Sequence, residues 1–312
     1  MLQVVQRGIT HHLLTDAGLR ANEGQGGAVT LIQRFGSAAN LNIHLHCLVL
    51  DGVYRCDADG APHFVQAGTP TDDQLHVLLQ TIIARLMKML TRRGVLVEEM
   101  GQTWLAAPDA DSEEARTLRP LQAAAVTYRI AFGPRAGQKV LTLRGALPRE
   151  APARQPLCAD IDGFSLHAAV RVDAHERKRL EQLCRYITRP ALSEERIQLD
   201  AVGQVQLKLK TPWRDGTTHV VMSPLEFMQR LAALVPRPRL HLIRFHGVLA
   251  PNARLRALVV PQGPLEPAVQ AAGGAECEPG AVQARSQRIG WARLLERVFD
   301  IDMQHCPNCG AG

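Results

Sequence analysis

Ala28-Val-Thr-Leu-Ile-Gln-Arg-Phe-Gly36, then Ser-Ala-Ala-Asn, then Leu41-Asn-Ile-His-Leu-His-Cys-Leu-Val-Leu50, is the stretch that decides the fold. Both runs are rich in β-branched and large apolar residues and are bounded by turn formers. Each predicts a strand, and the short link between them predicts a hairpin. Asp51-Gly52 closes the second strand as a turn. In that strand Leu41, Ile43, Leu45, Cys47 and Val49 alternate with Asn42, His44 and His46, so one face is expected to meet a core and the other to present Asn-His-His. Residues two apart on a strand share a face, about 6.5 Å apart. Two imidazoles at that spacing can converge on one divalent ion, although a site needs further ligands. Two polar side chains on a solvated face are the plain alternative.

The rest of the chain sets the context. Its 312 residues suit one large domain or two modest ones, and 46% hydrophobic content is ample for a packed core. No run approaches the roughly 18–20 apolar residues of a membrane span. Lys and Arg exceed Asp and Glu by 36 to 30, a clustered and arginine-rich excess that favours a polyanion partner. Aromatics are only 4%, so phosphate contact is expected more than base stacking. Seven scattered cysteines fit a reducing cytoplasm. The chain starts mid-pattern without a cleavable signal, which leads us to expect a fragment or an internal start.

Outward from the hairpin, residues 1–27 read as a helix and loop remnant, with Leu2 to Leu14 helical and a flexible break at Glu23-Gly-Gln-Gly-Gly27. Thr71 to Arg93 has helical apolar spacing behind a Thr71/Gln74 capping box. Residues 107–120 and 144–160 read as surface loops. Phe164 to Val172 predicts a strand, and Asp173 with Glu176 opens a helix whose stripe is Leu180, Leu183, Cys184 and Ile187, stopped by Pro190. Residues 196–222 predict strands around Val202-Gly203 and Trp213-Arg-Asp-Gly216, Ser223-Pro224 with Glu226 caps a further helix through Leu234, and Leu240 to Val248 predicts a final strand. Residues 261–285 read as a linker before a helix from Trp291 to Phe299.

Tyr186 stands out on the helix that Pro190 stops. It lies off the apolar stripe and is bracketed by Arg185 and Arg189. A phenol titrates near 10 in isolation, so nearby cations would favour its nucleophilic form. A half-buried helix tyrosine among ordinary arginines is the alternative. Lys208, Lys210, Arg214, Arg237, Arg239 and Arg244 form a second basic group, read together as a DNA track and singly as solvated charge. Trp213 could stack on an unpaired base or act as a structural cap.

The segment from Val29 to Ser37, followed by His44-Leu-His-Cys-Leu-Val-Leu-Asp-Gly-Val-Tyr54, resembles the His-hydrophobe-His (HUH) motif of rolling-circle transposases, in their common-region insertion-sequence branch. Gly163-Phe-Ser-Leu-His167, Leu183-Cys-Arg-Tyr-Ile-Thr-Arg-Pro190, Thr211-Pro-Trp-Arg-Asp-Gly-Thr217 and Arg244-Phe-His-Gly-Val-Leu-Ala-Pro-Asn252 resemble that family in the same order. The resemblance implies an α+β fold: a central antiparallel sheet with packed helices over 28–192, carrying the histidine pair on a middle strand. A β-rich, DNA-contacting extension with a helix over 193–260 is expected next, then the linker over 261–285 and a C-terminal helical tail over 286–312.

The function it implies is metal-dependent cleavage and joining of single-stranded DNA at element termini. His44 and His46 would hold Mg²⁺ or Mn²⁺, with His167 as the third ligand ahead of Gln182, His219 and His246. Tyr186 would attack phosphorus to give a 5′-phosphotyrosine. The alternative is a truncated remnant that only binds DNA. This chain departs from relatives with two tyrosines one turn apart, because Gln182 and Pro190 occupy those positions. It also lacks a cysteine-rich segment ahead of residue 28. Cys306 and Cys309 form half a zinc knuckle, so a zinc ion is not expected there.

Overall fold

The computed structural model describes residues 1–99, 102–106, 113–145, 156–236 and 239–261, with residues 113–115 described by their backbone alone. The linker, the last helix and the Cys306/Cys309 pair lie outside the described residues. The described residues fall in one unit, Met1–Pro261. It is of the α+β class, with antiparallel sheets and six helices among the described residues.

In chain order the elements are α1 (Leu2–Asp16), β1 (Gly27–Phe35), β2 (Leu41–Val49), β3 (Gly52–Cys56), β4 (Pro62–Gln66) and α2 (Asp72–Arg92). Next come β5 (Leu96–Glu99), β6 (Gln102–Leu105), α3 (Glu113–Val126), β7 (Leu141–Arg144), β8 (Cys158–Ile161), β9 (Phe164–His167) and α4 (Arg177–Thr188). The last are β10 (Ile197–Leu199), β11 (Val205–Lys208), β12 (Thr217–Met222), α5 (Pro224–Leu234), β13 (Ile243–Gly247) and α6 (Arg256–Val259).

The predicted hairpin forms as β1 and β2, and β13 joins it in the order β13-β1-β2. β2 is therefore an edge strand of that sheet, not the expected middle strand. The expected apolar face of β2 is only partly realised: Leu41 is buried, Leu45, Cys47 and Val49 are half-buried, and Ile43 is 56% exposed. An edge strand has a neighbour on one side only, and α3 and α5 pack on its start at Leu41. Under α1, Gln6 Nε2 donates to Thr30 Oγ1 at 2.9 Å, beside the Cys47 thiol. Thr30 and Ala28 are buried there.

The link between β1 and β2 is more than a turn. Ala38 and Ala39 are fully buried in the core of a second sheet, order β10-β11-β12-β7, with Leu207, Val220 and Met222. The buried Arg230 guanidinium donates to the Ala38 carbonyl at 3.4 Å, and Arg196 donates to the Ser37 carbonyl. The two sheets are thereby joined at the root of the histidine strand. β7 pairs with β12, so strands from either side of residue 193 share this sheet.

Local signals explain several elements. Thr71 and Gln74 close the capping box of α2, whose Leu75, Leu78, Leu79, Ile82 and Leu86 are buried. Ser223 and Glu226 do the same for α5, with Pro224 at its first turn. Gly203 and Gly216 take the positive φ their turns need. β13 stops at Gly247, where φ is +58° and an added Cβ would lie 1.7 Å from the Gly26 carbonyl oxygen. A further expectation fails: residues 113–120 are not loop but the first part of α3, with Pro120 inside it. Leu121 and Ala125 bury against Leu41 and Ala233, and this packing overrides poor local propensity.

Candidate active site

The hairpin register sets the site. Gln33 lies opposite His44, and Leu31 opposite His46, so these four side chains share one face. The His44 and His46 rings meet edge-on, 4.9 Å between centroids. His44 Nδ1 lies 3.0 Å from the Asn42 carbonyl oxygen. A carbonyl only accepts, so the ring proton belongs on Nδ1 and the lone pair on Nε2. Gln33 is 5% exposed. Its Nε2 donates to the Ile187 carbonyl at 3.2 Å, which turns Oε1 toward His46 Nε2 at 3.3 Å. His46 donates there and keeps its lone pair on Nδ1.

Ile187 belongs to α4, and its neighbour Tyr186 reaches the same face. The Tyr186 ring stands 6.4 Å from the His46 ring, nearly perpendicular to it. Arg189 and Lys210 flank the phenol, with Cζ 4.2 Å and Nζ 4.3 Å from the ring centroid. These groups, with Asn42 and Arg196, line an open cleft of about 210 Å³. Tyr186 remains 44% exposed at its mouth.

The electrostatics are directional. Partial burial pushes the Tyr186 phenol upward, but hydrogen bonding to Lys210 and the charges of Arg189 and Lys210 outweigh it and leave the phenol below its ordinary value. Burial, then the His44 and Arg189 charges, hold His46 below the usual histidine range. Its ring is therefore neutral at pH 7 and has a lone pair to offer. Burial and the nearby Arg189 also lower Arg196.

Of the residues singled out from sequence, His44, His46, Tyr186, Arg189 and Lys210 converge on the cleft. His167 does not: it ends β9, in the β8–β9 hairpin whose Ala159, Ile161 and Leu166 pack on α2. His219 bonds the Thr218 hydroxyl at 2.9 Å on β12, and His246 lies on β13 opposite Ala28, on the α1 side of the sheet. Gln182 is exposed on α4. Arg185 pairs with Glu181 at 3.0 Å. Lys208 ends β11, Arg214 tips the β11–β12 turn, Arg239 is exposed, and Arg244 projects opposite Thr30 on the α1 side. Arg237 lies outside the described residues. Trp213 packs edge-on against Tyr128 at 5.1 Å, which makes it a structural cap.

Two cleft residues escaped the sequence reading. Gln33 could have been found from the hairpin register, which sets it beside His44. Arg196 had no signal, because its position depends on the carbonyls of Ser37, in the β1–β2 link, and Lys208, at the end of β11.

Among the described residues no group of three His, Cys, Asp or Glu side chains could hold a metal. The cleft donors are two imidazoles with free lone pairs and neighbouring amides. That set has no carboxylate among its cleft-lining residues; it can offer two nitrogen ligands to a divalent cation and leaves the remaining positions to other ligands.

Residues 27–256 match the family model described as "Putative transposase". The chain belongs to this transposase family, a class of proteins that bind and cut DNA. No curated protein and no solved structure matches the chain. No described helix is long and apolar enough to cross a membrane.

Proposed function

We propose that the protein is a rolling-circle transposase that nicks and rejoins single-stranded DNA through Tyr186. The observation that carries this is a single phenol held between Arg189 and Lys210, at 4.2 and 4.3 Å, beside the paired histidine rings. Lys210 and Arg189 favour the phenolate, and its oxygen attacks the scissile phosphorus. A 5′-phosphotyrosine forms, and the 3′-oxygen leaves and takes up a proton. The covalent bond conserves the energy for rejoining. Arg196 and Arg189 then face the phosphate oxygens, where guanidinium forks bind well. His44 and His46 would hold Mg²⁺ or Mn²⁺, which supplies positive charge against the phosphoryl oxygens when bound. Gln33 fixes the His46 tautomer and the approach of α4.

The test is a nicking assay on single-stranded oligonucleotides with Mg²⁺ or Mn²⁺, scored for a protein–DNA adduct. Tyr186→Phe is expected to abolish the adduct, at least about 10³-fold, with binding retained. His44→Ala with His46→Ala is expected to remove cleavage. Adducts from the Tyr186→Phe protein would overturn the assignment. Cleavage without any adduct would transfer the attack to a water molecule.

A further inference from the structure

The histidine-bearing face of the three-stranded sheet extends beyond the cleft. Three rows cross it: His44 beside Gln33, His46 beside Leu31 and Ile243, and Leu48 beside Val29 and Phe245. Directly opposed residues of antiparallel strands project to the same side. Ile243 and Phe245 therefore share the face of His44 and His46. The reverse face is closed under α1, where Ala28 and Thr30 are buried. On the histidine face Val29 and Leu31 are half-buried, and Ile243 and Phe245 remain 46% and 45% exposed. With strands about 4.8 Å apart and a rise of about 3.3 Å per residue, Phe245 stands about 12 Å from His46 across the sheet.

We propose that this apolar face is a platform for unpaired nucleobases next to the bond cut in the cleft, with Phe245 stacking on one of them. The identity of the occupant rests on the nicking reading above. The platform is continuous with the cleft, where Arg189, Arg196 and Lys210 supply charge for a polyanionic backbone. A strand whose phosphates are held there brings its adjoining bases over this face. The side chains of Ile243, Leu31, Val29 and Phe245 offer no donor or acceptor, which suits the flat face of any base and not the reading of base edges. Trp213, the aromatic first considered for stacking, is instead packed on Tyr128.

The experiment uses the full chain in EDTA, with oligo(dT) and with an abasic strand of equal length, followed by fluorescence anisotropy. Phe245→Ala is expected to weaken oligo(dT) binding about tenfold, with an unchanged salt slope because no phosphate contact is lost. Phe245→Trp is expected to bind as tightly as the parent. The abasic strand is expected to bind parent and Phe245→Ala proteins alike. Equal oligo(dT) affinity for parent and Phe245→Ala, or an equal loss on the abasic strand, overturns the platform. So does a change of molar mass by light scattering in Phe245→Ala, which would make the face a contact between copies. Adduct formation separates the two readings. Adducts with no effect of Phe245→Ala remove the platform alone. Base-dependent binding with no adduct removes the nicking chemistry alone.

Discussion

Helices α2 and α4 both carry an apolar stripe at helical spacing, yet they are held in different ways. α2 opens with a complete capping box and buries five side chains, from Leu75 to Leu86. α4 has no side-chain cap and buries only Ile187, leaving Leu180 largely exposed. α2 is fixed by hydrophobic area, and α4 by a few directed contacts at its C-terminal end, chiefly the Gln33 amide on the Ile187 carbonyl. If Tyr186 is the nucleophile proposed above, a helix held in this way presents its phenol accurately at the cleft mouth, while its outer turns stay free of the core.

That contrast can be broken by substitution. Leu79→Ala removes a side chain wedged between α2 and the β8–β9 hairpin, and should cost about 2–5 kcal/mol in urea unfolding. Gln33→Leu should cost less on unfolding than Leu79→Ala, about 1–2 kcal/mol, but lower adduct formation about 10–100-fold, because both the His46 ring and the tyrosine helix lose their shared partner. Lys210→Gln sharpens the electrostatic side. The phenol is held down in the native protein, so cleavage should rise with pH below the ordinary tyrosine value. Without Lys210 the ascending limb of the pH–rate profile should move up toward the ordinary tyrosine value near 10, with a loss of cleavage at pH 8. Leu180→Ala should be the smallest change, within about 0.5 kcal/mol of the parent on unfolding. A large loss there would erase the distinction between the two helices.

The parts of the fold legible from sequence are those written locally. The β1–β2 hairpin followed from alternation, α2 and α5 from capping boxes and period, and the β10–β12 turns from Gly203 and Gly216. What stayed hidden depends on partners distant in the chain. α3 contains Pro120 and is stabilised by Leu41 and Ala233, which no local window contains. β7 finds its place only through β12. The candidate site divides in the same way. His44 and His46 share a strand, and Tyr186 announced itself by its arginine flanks. Lys210 was grouped by charge alone, and only the join between the sheets brings it to the phenol. His167 looked suitable because its strand precedes the tyrosine helix, but its hairpin is anchored on α2 instead.

The histidine strand lies at the rim of its sheet, and among the described residues the groove beside it is open. A tunnel would admit DNA only by threading a free end. On the proposed nicking reading, an open trough would let a strand settle in sideways at any point along its length, so that an interior phosphate of a long or circular molecule is seated without an end being available.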